Sequence, residues 1–156
     1  MRPYRIQGIP ESLAAGARES MRSPQYGHPA HAEVAGGYGP CRLCLRTFEV
    51  GAEERLLFTY QPFTDPDALP APGPVFIHRD PCERYDGPSL PESLRPLPLV
   101  LEGYGTAGAL RVQQRIGDST FETVLEDVLA REDVMYAHLR NAEAGCFVAR
   151  IDRADD

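Results

Sequence analysis

Residues 119–152 read STFETVLEDVLAREDVMYAHLRNAEAGCFVARID, and the reading of this stretch decides the fold class. Phe121, Val124, Leu125, Val128 and Leu129 recur at helical spacing on one stripe, which predicts a helix over about 119–131. Ser119 and Glu122 have the spacing of a capping box at its start. VMYAHLR and CFVARIDR follow, separated by NAEAG, whose Asn and Gly suit the positive dihedrals of a hairpin loop. The expected hairpin is 134–140 with 146–152. A loop of Asn141 to Gly145 would set Arg140 opposite Cys146. Met135, Ala137 and Leu139 would then pair with Ile151, Ala149 and Phe147 on an apolar face. The other face would carry Tyr136, His138 and Arg140 across from Arg150, Val148 and Cys146.

Working back along the chain, Ala109 to Ile116 alternates as a half-buried strand, with Leu110, Val112 and Ile116 on one face, and Leu99 to Glu102 reads as another strand. Val75 to His78 is a short apolar strand between Pro-rich connections at 62–73 and 81–98. CRLCLRTF and RLLFTYQPF suggest two strands of a hairpin, with Leu56, Phe58 and Tyr60 on one face of the second. Residues 23–40 are rich in Gly, Pro and Ala without either period and are expected to be irregular and mobile. Tyr4 to Gly8 reads as a first strand and ESLAAGARES, behind Pro10, as a short helix. The sum is an α+β fold over residues 1–156, a single domain with a mostly antiparallel sheet and one main helix.

The 156 residues carry 16 basic against 23 acidic side chains, a net charge of −7, which argues against bulk attraction to nucleic acid or anionic lipid. All 16 basic residues are Arg. A Schiff-base Lys, a phosphate-loop Lys and a Ser-Lys dyad are therefore excluded. The first twenty residues hold no apolar run of the length a secretory signal needs, and no window suits a membrane span. A cytoplasmic location is expected, with Cys41, Cys44, Cys82 and Cys146 as reduced thiols, metal ligands or catalytic groups rather than a disulfide framework.

Cys41-Arg-Leu-Cys44 offers two sulfurs two residues apart, a spacing at which a tight turn puts both on one metal. His78 and Cys82, four apart, offer a second pair. Together they make a Cys3His set suited to tetrahedral zinc. A closed four-ligand site supplies folding energy and leaves no position for substrate, so the leading reading is a binding or interaction module, with a protein or small-molecule partner, stabilised by structural zinc. The competing view of these residues is that the Cys are small buried hydrophobes and His78 a satisfied core imidazole. His28 and His31 are read as solvated loop residues. Two other functional readings stand beside the first. One is a thiol-dependent hydrolase or transferase with Cys146 as nucleophile, His138 as base and Asn141 nearby. The other is a metal-free small-ligand-binding domain. Arg42, Arg79 and Arg150 are candidates for holding a small anion locally.

Pro40-Cys41-Arg42 and the closing pattern of Tyr136, His138, Asn141, Gly145, Cys146, Phe147, Ala149, Arg150, Ile151 and Asp152 resemble a bacterial family of uncharacterised proteins, the domain of unknown function 1203. The resemblance spans nearly the whole chain. It implies no activity, substrate or cofactor, and by it the metal set belongs to a subgroup, because many members carry Ser at the position of Cys44 and lack counterparts of His78 and Cys82.

Overall fold

The computed structural model describes residues 3–37 and 39–154. Nine strands and two α-helices follow in the order β1 (Tyr4–Gln7), α1 (Glu11–Ser20), β2 (His31–Val34), β3 (Glu54–Tyr60), β4 (Gly73–His78), β5 (Asp86–Gly87), β6 (Leu99–Tyr104), β7 (Leu110–Arg115), α2 (Phe121–Leu129), β8 (Tyr136–Asn141) and β9 (Phe147–Arg153). They form a six-stranded sheet in the order β5-β1-β9-β8-β6-β7 and a three-stranded sheet in the order β2-β3-β4. Every pairing is antiparallel, as the α+β reading requires.

Helix α2 lies on the larger sheet because its stripe is apolar: Phe121, Val124, Leu125 and Val128 are buried in one cluster with Leu101, Ala137, Leu139, Ala149 and Ile151. The helix is two residues shorter at each end than its periodicity suggested. Its cap is Thr120, whose Oγ1 accepts from Thr123 N, and not Ser119. A second cluster joins α1 to the smaller sheet, through Ala14 and Ala17 on one side and Leu56, Phe58, Val75 and Ile77 on the other. The alternation of Leu56, Phe58 and Tyr60 is thus the core face of β3, as expected.

Other expectations fail as well. CRLCLRTF is not a strand: Leu45 N donates to Cys41 O at 2.8 Å, and Leu45 takes a left-handed φ of 62°, closing a tight turn. Strand β3 pairs instead with β2 and β4. The segment 23–40 is not irregular throughout. It contains β2, whose weakly patterned HAEV is ordered by the β3 ladder and not by its own propensity. Tyr38, within that stretch, lies outside the described residues.

The terminal hairpin forms with a shifted register. Ala137 pairs Ile151 and Leu139 pairs Ala149, but Arg140 pairs Phe147, so Val148 is the extra residue of a β-bulge. The bulge sends both Val148 and Phe147 into apolar clusters, one on each side of the sheet, which the regular register could not do. Met135 precedes the strand and is 59% exposed, and Leu110 is likewise exposed.

Candidate metal centre

The tight turn at Cys41–Leu45 is the joint between the two sheets. Arg42 N donates to Phe76 O on the edge of β4, Arg42 O accepts from Ile9 N, and Leu43 O accepts from Tyr85 N, all within 2.9 Å. Leu45 enters the core of the larger sheet, while Cys41, Leu43 and Cys44 enter that of the smaller. Gly8 permits this docking, since a Cβ there would sit 2.2 Å from Leu43 O and 2.6 Å from Arg42 O.

The turn aims both sulfurs at the end of β4. His78 is the last residue of that strand, and Arg79-Asp80-Pro81 turns the chain so that Cys82 comes back to it. One ligand atom from each of Cys41, Cys44, His78 and Cys82 lies within 4.8 Å of all the others. Cys41 Sγ is 3.9 Å from Cys82 Sγ, and Cys44 Sγ is 3.5 Å from His78 Nδ1. A tetrahedral zinc has edges of about 3.8 Å between sulfurs and about 3.6 Å between sulfur and nitrogen, as its bond lengths dictate. Two edges of the cluster already have those lengths. Cys41, Cys44 and His78 are buried, and Cys82 is half-buried.

The surroundings support the same arrangement. His78 Nδ1 faces the sulfurs while Nε2 lies 2.9 Å from Glu53 Oε2, a carboxylate at ion-pair distance whose alignment falls short of a hydrogen bond. Glu53 is held by Glu49 N, which donates to its other oxygen at 2.8 Å, and that bond followed by His78 keeps the Glu53 carboxyl below its ordinary pKa. His78 N donates to Cys41 Sγ at 3.3 Å. Arg18 of α1 donates to Cys82 Sγ at 3.3 Å and to His78 O at 3.1 Å, placing a cation against a cluster whose three thiolates would outnumber the charge of a divalent ion. Without a cation the cluster disfavours ionised sulfur. Burial raises the Cys41 pKa, and the hydrogen bond with Cys41 raises that of Cys44. At Cys82 the bond with Cys41 acts downward, but that with Cys44 and burial outweigh it.

The sequence-predicted set therefore converges. Arg18 and Glu53 escaped the sequence reading, since nothing in ESLAAGARES or VGAEE distinguishes an Arg or Glu that reaches a distant sulfur or imidazole from one that faces water.

The residues of the thiol-enzyme reading do not converge in the same way. His138 pairs across the hairpin with Arg150, not Val148. It is fully buried among Phe63, Tyr104, Tyr136 and Phe147, with ring centroids 4.8–5.4 Å away, and neither ring nitrogen has a hydrogen-bond partner among the described residues. Burial, followed by the charges of Arg140 and Arg150, pushes its pKa down to about 2. Asn141 Oδ1 accepts from Glu143 N and Ala144 N, both at 2.8 Å, and so shapes the hairpin loop. His28, expected to be solvated, accepts from Thr59 N through Nε2 at 3.2 Å, and His31 opens β2. Of the candidate anion holders, Arg79 pairs with Glu54 and Arg150 with Asp152, while Arg42 is buried.

An α+β protein built on two antiparallel sheets, with a Cys3His cluster at their joint, is what fold and site define. The chain belongs to the family described as protein of unknown function DUF1203, whose profile matches residues 38–153. No curated protein and no solved structure shows a significant match. Among the described residues no helix is long and apolar enough to cross a membrane.

Proposed function

We propose that Cys41, Cys44, His78 and Cys82 hold a structural zinc ion and that the protein acts as a metal-stabilised binding or interaction module. The observation that carries this is the convergence of four ligand atoms from two separate pairs, with the 3.9 Å and 3.5 Å edges that a tetrahedral ion requires. Four protein ligands close the coordination sphere, so the ion would cross-link rather than catalyse. In doing so it would tie the turn at 41–45 to the end of β4 and the loop after it, segments with few ladder bonds of their own.

Zinc fits better than a harder cation, because thiolate and imidazole donors select against magnesium and calcium. Cobalt substitution tests the donor set. Cobalt(II) bound to this chain should show the intense near-ultraviolet thiolate charge-transfer and visible ligand-field bands of a tetrahedral three-sulfur site. Cys82→Ser should weaken the charge-transfer intensity by about a third, one sulfur of three. Octahedral, weak visible absorption, or no change with Cys82→Ser, would overturn the assignment.

A further inference from the structure

A groove of about 550 Å³ runs between the two sheets, and no residue of the metal cluster lines it. Cys146, which stands outside that cluster, borders the groove. The floor is one face of the larger sheet. In the ladders of β6 with β7 and β8, Val100 pairs with both Arg115 and Arg140, and Glu102 pairs with both Gln113 and His138. Side chains paired in register stand on the same face, so two guanidinium groups flank Val100 and a carboxylate follows two residues on. Tyr60 and Pro74 of the smaller sheet form a wall, and the Tyr60 and Phe147 rings lie with centroids 5.5 Å apart.

The acceptors on this floor are occupied. Glu102 Oε1 accepts from Tyr104 Oη at 2.7 Å and faces Arg140 Nε at 2.6 Å, while Oε2 accepts from Gln113 Nε2 at 2.7 Å. The donors are not. Arg140 Nη1 donates to Gly145 O at 3.1 Å, and Nη2 has no partner among the described residues. Asn141 uses Oδ1 to accept from two backbone N–H groups, and its Nδ2 likewise has no partner there. Arg115 reaches the rim, where Nη2 donates to Ala142 O at 3.2 Å. The charges have the same bias: Arg115 and Arg140 face a single carboxylate, Glu102, on a chain whose total is −7. Glu102 is buried, and well-packed apolar side chains in place of a buried ion pair are often no less stable, so packing alone does not account for Glu102 and Arg140.

We infer that this groove binds a small monocarboxylate with a planar apolar body. The carboxylate takes the unpartnered donors of Arg140 and Asn141, with Arg115 as the second cation, and the ring lies against Val100, Tyr60 and Phe147. One negative charge balances the two guanidinium groups and the Glu102 carboxylate, whereas a phosphate dianion would exceed them. The inference is independent of the zinc reading, because the two sites share no residue.

Benzoate is the probe and benzamide, its neutral analogue, the comparison. Each is titrated into the full-length, metal-loaded, isotope-labelled protein and followed by backbone amide shifts. Benzoate should saturate, with the shifts confined to β6, β8 and the loop at 141–145, and benzamide should bind about tenfold more weakly, as expected for the loss of one partly screened charge contact. Gly73→Phe blocks the groove. Gly73 pairs with Tyr60 and so shares its face, and a Cβ there meets nothing within 4 Å, which lets the new ring enter open space. This variant should abolish binding of both probes. Arg115→Gln leaves Glu102 and Arg140 untouched at an exposed position, and should weaken benzoate severalfold while leaving benzamide unchanged. No saturation by about 10 mM, within reach of a small ligand of ordinary efficiency, would overturn the proposal. So would shifts located elsewhere, equal affinity for the two probes, or unaltered benzoate binding in either variant.

Discussion

The two sheets differ in what their cores contain. The larger one, with α2, is built around an apolar cluster in which Leu101, Leu125, Leu139 and Ile151 are fully buried, and the central strands β6, β8 and β9 are each paired on both sides. The smaller one has three strands, a core that includes Cys41 and Cys44, and a turn at 41–45 that reaches it through single backbone bonds. One region closes on itself by burial of apolar surface. The other brings four soft ligands to a point where an ion would do the closing. A chain of this size can thus keep a second, smaller core without lengthening its strands, provided a cross-link holds the loops around it.

Metal removal should separate the regions most strongly. After chelation, hydrogen exchange protection should be lost across β3, β4 and the turn at 41–45 while it persists in β6 and α2. Uniform loss across both sheets would show that they form one cooperative unit, and unchanged protection would show that no ion supports the smaller one.

Gly8→Ala comes next. The Cβ would meet backbone oxygens of the turn at 41–45, which cannot swing aside as a side-chain end can. A loss of about 3 kcal/mol, together with weaker metal affinity, is expected in denaturation and competition titrations. Stability loss with unaltered affinity would mean that the turn and the cluster are not coupled.

His138 lies where the two regions meet, and its folded pKa of about 2 stands below an unfolded value of about 6.5. For a base depressed in the folded state, the stability present above pH 6.5 is lost as pH falls, because only the unfolded chain takes up the proton. The loss from this residue is about 1.4 kcal/mol per pH unit once pH is well below 6.5. Urea midpoints of His138→Phe should therefore fall less steeply than wild type between pH 7 and pH 5, by the equivalent of one proton. Parallel pH profiles would contradict a neutral, buried imidazole.

The smallest effect belongs to the larger sheet alone. Thr120→Ala removes the side-chain acceptor at the start of α2 and should cost about 1 kcal/mol, with no change in metal affinity.

What could be read from residues alone follows the same division. Helix α2, strands β1, β6 and β7 of the larger sheet and the terminal hairpin announce themselves by their apolar patterning, because burial on one face is what orders them, whereas β5 lies in the stretch read as a Pro-rich connection and is ordered by its pairing with β1. The register of the hairpin was not legible. A bulge at Val148 leaves no local mark, and only the presence of a second core on the far side of β9 gives Phe147 a reason to turn there. In the smaller region the four ligands were legible as spacing, CxxC and HxxxC. Their supports were not, since Arg18 and Glu53 act from α1 and from the turn before β3, at sequence distances that no pattern encodes. Strand β2 was hidden for a related reason, being ordered by its partner.

The central claim is that one zinc ion sits among Cys41, Cys44, His78 and Cys82. Mass spectrometry of the untagged protein under native conditions, set beside the denatured mass and a thiol titration, tests it most directly. The account predicts a native mass larger by one zinc ion, with one thiol free and three unmasked on chelation. A native mass equal to that of the bare chain, with four thiols free from the start, would contradict it.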